Sequence, residues 1–549
     1  MTSHVVKRRA PPKGEAISEN PGHSGVALMA CLLKSLHSSD LPLRIAAQPS
    51  SSTIRIARFA PVSHCLAKRS QRRIGDWFLA HFNIVVIGSG PAGRRAAVQA
   101  AKLGKSVLVV ENRLRLGGVS VHTGTIPSKT LRETVLNLSG WRERGFYGLS
   151  YRVKKDIEGK DLGARLRMTL DHEIEVLEHQ FARNGVRTFG GMARFVDTTH
   201  VAVTPPEGDE VTFSFDHAVI AVGTTPFRPS NIPFNDYSVL DSDSLVSEPR
   251  VPRSLTVVGA GVIGIEYATI FSALDVPVTI VEPKDTILDF IDREIIEEFT
   301  HDLRQRGVTL RLGTKVEKVE LDEQGWAVST LADGRRLRSD MLLYAAGRSG
   351  ATAGLGLENA GITPVDRGRL KVDPVTFQTS VRNIYAAGDV IGWPSLASTS
   401  MEQGRIAALH ACGAPMHPAP EFFPYGIYAV PEISTVGLTE QQVKAQGIHY
   451  EAGIARFRET SRGHIMGLQS GMMKMIFALD SRKLLGVHIV GEGATELIHI
   501  GQAVLNLGGT LDYFVENAFN YPTLAEAYKI AALDAWNRMP RTLPIAPIE

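Results

Sequence analysis

The segment NIVVIGSGPAG, residues 83–93, decides the fold of the first half of the chain. Its first five residues form a short β-branched run, which is typical of a strand buried on both faces of a parallel sheet. Gly88, Gly90 and Gly93 follow in the spacing G-x-G-x-x-G, and an Ala-rich helix continues to Leu103. A strand, a glycine turn and a helix in this order predict a Rossmann unit.

The three glycines have separate physical roles in such a unit. Gly88 permits the tight turn, Gly90 lets the backbone approach a pyrophosphate, and Gly93 lets the helix pack closely on the strand. The helix N-terminus supplies N–H groups and a positive dipole end to the phosphates. A second strand, residues 106–110, ends at Glu111, whose carboxylate can accept a hydrogen bond from a ribose hydroxyl. We therefore predict a dinucleotide site here.

The same unit occurs a second time along the chain. The second copy comprises a strand at 255–258, the turn glycines Gly259, Gly261 and Gly264, and a strand at 278–281 that ends at Glu282. Its first glycine and its final glutamate follow those of the first copy by the same 171 residues. Chance matches would not repeat with a common separation, so we predict two dinucleotide sites, one nucleotide held tightly and the other exchanging.

The composition limits the classes of protein to which the chain can belong. A chain of 549 residues can form three or four packed domains, and no apolar run in it approaches the roughly 18 residues that a membrane span requires. Its three cysteines, Cys31, Cys65 and Cys412, form no disulfide framework and are typical of a reducing compartment. We expect a cytoplasmic protein without a membrane span.

The net charge of +3 is distributed unevenly. Residues 1–80 hold 12 Lys or Arg and 4 acidic residues, a net charge of +8, which leaves −5 for the rest of the chain. That remainder gives no reason to expect a nucleic acid or an anionic membrane as partner. Residues 1–80 lack hydrophobic periodicity, so we expect a disordered extension. It is a transit peptide or the product of a start codon assigned too far upstream; we favour the second.

Later segments continue the α/β pattern. An amphipathic helix that ends at Gly185 is predicted by the spacing of Leu166, Leu170, Ile174, Leu177 and Phe181. Three buried strands that end in glycine are predicted next: 218–222 before Gly223, 343–346 before Gly347, and 384–387 before Gly388 and Asp389. A helix is predicted over 396–409, and strands followed by a final helical region extend from Phe422 to Trp536.

The loop GGVSVHTGTIPSK, residues 117–129, resembles the redox loop of the flavoprotein disulfide reductases. In that family a Gly-Gly turn leads into Cys-x-x-x-x-Cys and then Ile-Pro-Ser-Lys. Here Ser120 and Thr125 occupy the two cysteine positions. A hydroxyl does not cycle between thiol and disulfide, so this loop is unable to relay electrons to a disulfide substrate. A decayed, inactive relative is the alternative interpretation.

The C-terminal region departs from the same family in a related way. The family's interface domain carries His-Pro-Thr-x-x-Glu, whereas this chain has YPTLAE with Tyr521 in the position of the base and Glu526 retained. A phenol, with an ordinary pKa near 10, is a poor base at neutral pH. Both sulfurs and the catalytic imidazole are therefore absent, while the nucleotide-binding motifs remain. Random loss of functional residues would not remove the disulfide chemistry and leave the nucleotide-binding motifs intact.

This pattern is similar to that of the soluble, FAD-dependent pyridine nucleotide transhydrogenases of the class I pyridine nucleotide-disulfide oxidoreductase family, from about Asn83 to the C-terminus. Some members of that group keep a first loop cysteine, which Ser120 replaces here. The resemblance implies an α/β, glutathione-reductase-like fold with FAD and NAD(P) Rossmann-like domains and a C-terminal α+β dimerisation domain. We expect a basic extension at 1–80, an FAD-binding domain at 81–230 and 356–418, an NAD(P)-binding domain at 231–355, and a dimerisation domain at 419–549.

The resemblance also implies cofactors, partners and site residues. FAD is expected as the bound cofactor, NAD and NADP as exchanging substrates, and a homodimer or higher homo-oligomer as the assembly. Lys129 is expected near flavin N5, paired with Glu266 as a catalytic pair; an ordinary ion pair between domains is the alternative. No metal site is predicted. The predicted cofactor-binding residues are Gly88, Gly90, Gly93, Glu111, Asn112, Gly117, Gly118, Val119, Ser120, Lys129, Gly223, Gly259, Gly261, Gly264, Glu282, Gly347, Gly388 and Asp389.

Glu282 leaves open whether the second dinucleotide site accepts NADP as well as NAD. A carboxylate at this position suits the free 2′-hydroxyl of NAD and repels the 2′-phosphate of NADP, although a transhydrogenase accepts both. Lys284 or Arg293 would counter that repulsion. Two alternatives to ping-pong transfer from NADPH to NAD therefore stay open: an NADH-dependent flavin oxidoreductase that reduces oxygen or a quinone, and a non-catalytic FAD-binding interaction protein.

Overall fold

The first Rossmann unit builds a mostly parallel sheet. In the computed structural model, which describes residues 80–247 and 249–540, its first six strands have the spatial order β3-β2-β1-β6-β5-β4. They are β1 (His81–Ile87), β2 (Val107–Glu111), β3 (Arg187–Gly190), β4 (Met192–Phe195), β5 (His200–Thr204) and β6 (Val211–Ile220). The helices of this part are α1 (Pro91–Lys102), α2 (Gly118–His122), α3 (Thr125–Ser139), α4 (Arg144–Tyr147) and α5 (Gly159–Arg183).

The second Rossmann unit forms a separate five-stranded parallel sheet, in which β11, β10, β9, β15 and β8 lie side by side. The elements are β7 (Thr224–Pro226), β8 (Val239–Leu240), α6 (Ser242–Ser247), β9 (Leu255–Val258), α7 (Val262–Ser272), β10 (Val278–Glu282), α8 (Arg293–Gln305) and β11 (Thr309–Leu312). A three-stranded antiparallel insertion and the exit strand follow, as β12 (Val316–Leu321), β13 (Ala327–Leu331), β14 (Arg336–Ser339) and β15 (Met341–Tyr344).

The chain then returns to the first sheet. Strand β16 (Arg348–Gly350) pairs antiparallel with β7, so the entry and exit of the second unit lie together. Strand β17 (Ile384–Ala386) pairs with β6 and adds a seventh strand to the first sheet. Helix α9 (Ala397–Ala411) packs on α1 through small residues such as Ala92 and Gly404, where an added Cβ would lie 2.1 Å from the Ala92 carbonyl oxygen.

The C-terminal part is an antiparallel sheet covered by helices. Its strands lie in the order β18-β19-β22-β21-β20. They are β18 (Tyr425–Ile427), β19 (Ile433–Gly437), β20 (Tyr450–Arg456), β21 (Met472–Ala478) and β22 (Leu484–Val490). The helices are α10 (Glu440–Ala445), α11 (Ser461–Met466), α12 (Ala494–Asn506), α13 (Leu511–Glu516) and α14 (Glu526–Arg538).

The two glycine turns have nearly identical backbones. Gly88 and Gly259 have φ values of +102° and +101°, in the region that favours glycine. A Cβ on Gly93 would lie 1.9 Å from the Gly88 carbonyl oxygen, and a Cβ on Gly264 would lie 2.1 Å from that of Gly259. The close helix–strand packing predicted from the sequence is therefore present in both copies.

The α/β prediction and its main elements are confirmed, with small shifts of bounds. Strand β1 begins at His81 rather than at residue 83, and the amphipathic helix predicted before Gly185 is α5, with Leu166, Ile174 and Phe181 buried. Cys412 is a free thiol. Apart from Ala80, the predicted extension at 1–80 lies outside the described residues, as do Cys31 and Cys65.

Candidate functional site

A first cleft lies at the carboxyl ends of β1, β2 and β6, where an open parallel sheet binds its ligands. It encloses about 1160 Å³, part of which is open to solvent. Space for a phosphate is present beside Gly90, since no atom other than those of its chain neighbours lies within 4 Å of a Cβ added there. The predicted residues that line this cleft are Gly88, Gly90, Glu111, Asn112, Gly118, Val119, Ser120, Gly223, Gly388 and Asp389.

Ser89 connects the glycine turn, Glu111 and the loop at 117–129. Its backbone N–H donates to Glu111 Oε2 at 2.9 Å, its hydroxyl donates to the same oxygen, and Gly117 N–H donates to Ser89 Oγ at 2.8 Å. The other oxygen, Oε1, accepts from Arg113 N–H at 3.0 Å. A carboxylate oxygen offers two acceptor sites, so Oε1 keeps one for a ribose hydroxyl. Sequence analysis missed Ser89 because the glycine motif leaves that position unspecified.

Asp389 is the second acceptor that faces the first cleft. Burial raises the pKa of Asp389, and the nearby guanidinium groups of Arg348 and Arg369 act in the opposite direction. Among the described residues its side-chain partner is Ser400 Oγ, at 3.5 Å. A desolvated carboxyl with so weak a partner fits a ligand hydroxyl as its main hydrogen-bond donor. The cleft is therefore suited to FAD, because it offers space for the phosphates and acceptors for the hydroxyl groups of that molecule.

A second, wider cleft of about 2050 Å³, also open to solvent, contains the predicted catalytic pair. Lys129 Nζ lies 2.8 Å from both carboxylate oxygens of Glu266, across 137 residues of sequence. The Glu266 side chain is 5% exposed and that of Lys129 is 25% exposed. Gly261 and Gly347 line the same cleft, so the pair lies at the ligand end of the second Rossmann unit.

Glu266 joins three parts of the fold. Besides Lys129 from α3, it accepts a hydrogen bond from Tyr428 N–H at 3.0 Å and one from Ser128 Oγ at 3.3 Å. The Lys129 ammonium also lies 4.8 Å from the centre of the Tyr428 ring, within cation–π range. The ammonium is therefore held in place by a carboxylate and an aromatic face. Tyr428 carries no motif that sequence analysis could have used.

The two positions that replace cysteines carry hydroxyls at the junction of the clefts. Ser120 lines the first cleft, Thr125 lines both, and Ser120 Oγ donates to the Gly117 carbonyl at 3.2 Å. Thr123, between them, donates to Asp243 at 2.9 Å. Hydrogen-bonded hydroxyls in this loop provide orientation without redox chemistry.

Arg348 links that loop to the connection between the two Rossmann units. Its guanidinium donates to the Thr224 hydroxyl at 2.8 Å, to the Thr224 carbonyl at 2.9 Å and to Asp243 at 3.1 Å. Since Asp243 also accepts from Thr123, the loop, β7 and β16 form one hydrogen-bonded unit. These contacts bring together segments more than 100 residues apart, which a sequence pattern does not encode.

Glu282 has the geometry of Glu111 in the second unit. It accepts from Ala260 N–H at 2.7 Å and from Lys284 N–H at 3.1 Å. Lys284 and Arg293, the two cations expected to offset the repulsion between Glu282 and a 2′-phosphate, each form an ion pair with another carboxylate. Lys284 Nζ lies 2.6 Å from Asp289, and Arg293 lies 3.0 Å from Glu297. Both side chains are exposed, at 60% and 79%, so each pair is open to competition from an incoming anion.

The remaining predicted residues support the site from outside the cleft linings. Gly93, Gly117, Gly259, Gly264 and Glu282 shape the two turns and strand ends. Tyr521 is 65% exposed, and its hydroxyl lies 2.6 Å from Ser461 Oγ.

Within residues 80–247 and 249–540, no group of three or more His, Cys, Asp or Glu could hold a metal ion. None of the helices in that part is long and apolar enough to cross a membrane.

Comparisons with known proteins show the family to which the chain belongs. Residues 82–404 match the pyridine nucleotide-disulphide oxidoreductase family, and residues 423–532 match the dimerisation domain of the same family. The chain is similar in fold to LpdA from Mycobacterium tuberculosis, with a TM-score of 0.76 and 26% identity over 83% of this chain and 99% of that one. It is also similar to the HOCl-induced flavoprotein disulfide reductase RclA from Escherichia coli, with a TM-score of 0.74 and 26% identity over 82% and 99%.

Curated relatives have higher identity. The soluble pyridine nucleotide transhydrogenase of Mycobacterium bovis (strain BCG / Pasteur 1173P2) is 50% identical, covering 84% of this chain and 98% of that protein. The protein of the same name from Marinomonas sp. (strain MWYL1) is 42% identical, covering 84% and 99%. The chain therefore belongs to the pyridine nucleotide-disulphide oxidoreductase family, and within it to the group of the soluble pyridine nucleotide transhydrogenases.

Proposed function

We propose that this protein is a soluble NAD(P) transhydrogenase that moves hydride from NADPH to NAD in a ping-pong cycle, without a redox disulfide. FAD, when bound in the first cleft, supplies the group that takes up the hydride and returns it. NADPH binds in the second cleft, NADP leaves, and NAD enters the same place. The observation that carries the proposal is the intact Lys129–Glu266 pair beside a loop with hydroxyls at both cysteine positions.

The residues of the second cleft need to orient the nicotinamide and stabilise charge. Glu266 and the Tyr428 ring hold the Lys129 ammonium from two sides, so its positive charge is fixed before a nucleotide arrives. A charge fixed in advance requires no reorganisation during the reaction. Holding the two bound rings in a reactive orientation lowers the barrier further.

Acceptance of both nucleotides rests on Lys284 and Arg293 in this proposal. A 2′-phosphate beside Glu282 would draw Lys284 away from Asp289, because a doubly charged phosphate competes well with an exposed carboxylate. NAD would instead use the Glu282 carboxylate for its free 2′-hydroxyl. Neutralising both cations is expected to weaken NADPH binding and to leave NADH binding unchanged. Unchanged NADPH affinity in that double variant would refute this part.

We propose that the site residues predicted from the sequence contact FAD and NAD(P). The domain bounds given in the sequence analysis are part of the same proposal. The match to the family's dimerisation domain supports a homodimer or larger homo-oligomer. A cytoplasmic location is part of the same proposal.

Anaerobic spectroscopy tests the function. NADPH is expected to bleach the yellow holoenzyme, and a thio-NAD analogue is expected to restore its colour while the thio-nicotinamide is reduced. Oxidation of the reduced protein by oxygen or a quinone, but not by thio-NAD, would favour the NADH-dependent oxidoreductase. Bound flavin without reduction by either nucleotide would favour the non-catalytic alternative.

Lys129→Met tests the proposed catalytic pair. The variant removes the ammonium but keeps the length of the side chain, so both half-reactions are expected to slow by about 10- to 100-fold, which corresponds to a lost charge-assisted contact of roughly 1.5–3 kcal/mol. Lys444→Met, an exposed lysine of the C-terminal part, is the matched control. Equal half-reaction rates in Lys129→Met and the parent protein would reduce the pair to an ordinary ion pair between domains.

A further inference from the structure

Three aromatic rings from three separate segments meet around Tyr425, which lines the second cleft. The rings of Trp393 and Tyr425 are stacked, with centroids 5.5 Å apart and an interplanar angle of 11°. Phe290 packs edge-on against both, at 4.9 Å from Tyr425 and 5.7 Å from Trp393. Trp393 stays 64% exposed. We call these three residues the aromatic cluster.

Tyr425 is the member of the aromatic cluster whose position is most constrained. It begins β18, where it pairs with Thr435 of β19, and its carbonyl accepts a hydrogen bond from Ser434 Oγ at 3.2 Å. Its ring is fixed by a stacked neighbour and an edge-on neighbour. A phenol held at both its backbone and its ring presents its hydroxyl in one direction, with little rotamer freedom left to lose.

The Tyr425 hydroxyl has no hydrogen-bond partner within residues 80–247 and 249–540. Outside this cleft, the hydroxyls of Tyr450 and Tyr528 do have partners: they bond Glu440 and the Leu497 carbonyl. A hydroxyl that lines a cleft open to solvent and has no partner from the protein is available to donate to a bound ligand.

The surroundings of that hydroxyl decide its role. Tyr425 lines the same cleft as Lys129 and Glu266. Burial raises the pKa of Tyr425 to about 12, helped by the negative charges of Glu266 and Asp389. The phenol therefore stays protonated and serves as a hydrogen-bond donor rather than as a base.

We propose that the Tyr425 hydroxyl donates a hydrogen bond to the carboxamide oxygen of a nicotinamide bound in the second cleft. The carboxamide oxygen is the acceptor that the nicotinamide group offers, and a bond to it fixes the rotation of the ring. This inference rests on the proposed function, because it needs the nicotinamide to lie beside Lys129. The aromatic cluster then serves to hold the donor at the mouth of the cleft.

Tyr425→Phe removes the hydroxyl and keeps the ring that Trp393 and Phe290 pack against. The dissociation constants of NADP and NAD, measured by titration of the oxidised holoenzyme, are both expected to rise about 3- to 10-fold, the range for one neutral hydrogen bond. Thionicotinamide analogues carry sulfur, a weak acceptor, in place of that oxygen. Their dissociation constants are expected to change less than twofold in the same variant.

The control is Tyr450→Phe, which removes a hydroxyl bonded to Glu440 in the same part of the chain and is expected to leave nucleotide binding unchanged. Unchanged NADP and NAD binding in Tyr425→Phe would overturn the inference. Equal losses for the oxygen and sulfur nucleotides would also overturn it, because they would indicate a packing role. Failure of NADPH to reduce the parent holoenzyme would count against the proposed function instead.

Discussion

Lys474→Met tests the buried ion pairs that connect the second Rossmann unit to the C-terminal part. The Lys474 side chain, in β21, is 1% exposed and lies 3.0 Å from Asp292, 3.0 Å from Glu294 and 2.5 Å from Glu440. Asp292 is the N-cap of α8 and fully buried, so the substitution leaves its carboxylate without its cation. Breaking a buried pair on one side costs about 3–5 kcal/mol.

With an unfolding entropy of about 2.1 cal/mol/K per residue over the roughly 460 described residues, that free energy corresponds to a fall of about 3–5 °C in the apparent melting temperature. Thermal unfolding of the holoenzyme, followed by near-ultraviolet circular dichroism, measures it. Lys444→Met is the matched control, because Lys444 lies 2.7 Å from the same Glu440 but its side chain is 63% exposed. Its expected cost is below about 1 kcal/mol. Equal falls in melting temperature for the two variants would refute the argument from burial.

Two further predictions concern the same framework and the first cleft. Burial alone would raise the pKa of Glu440, but hydrogen bonds from Lys444, Lys474 and Tyr450 lower it to about 2, below its ordinary 4.5. The stability it contributes is therefore present above pH 4.5 and lost as the pH falls towards 2, and Lys474→Met should flatten acid unfolding in that window. Gly93→Ala should abolish flavin retention, seen as loss of visible absorbance per chain, since the new Cβ would lie 1.9 Å from the Gly88 carbonyl oxygen.

Much of the fold followed from local patterns. A buried strand, a glycine turn and a helix are encoded by residues close in sequence, so both Rossmann units were predicted with bounds correct to within two residues at β1 and at β9. The replacement of both loop cysteines by Ser120 and Thr125 is also visible in the sequence alone, because it depends on which atoms are present. The absence of both sulfur atoms is enough to exclude a redox disulfide in this loop.

Tertiary structure decided how the site is assembled. Glu266 meets Lys129 and the Tyr428 N–H, and Arg348 meets Thr224 and Asp243, only after separate segments of the chain have packed together. The aromatic cluster around Tyr425 likewise unites three separate segments of the chain. Hydrophobic periodicity specifies which face of an element is buried, but not which distant element covers it. Contacts between domains are therefore set by packing: the family resemblance implied the Lys129–Glu266 pair, but the contacts of Glu266 with Ser128 and Tyr428 are given by the tertiary structure alone.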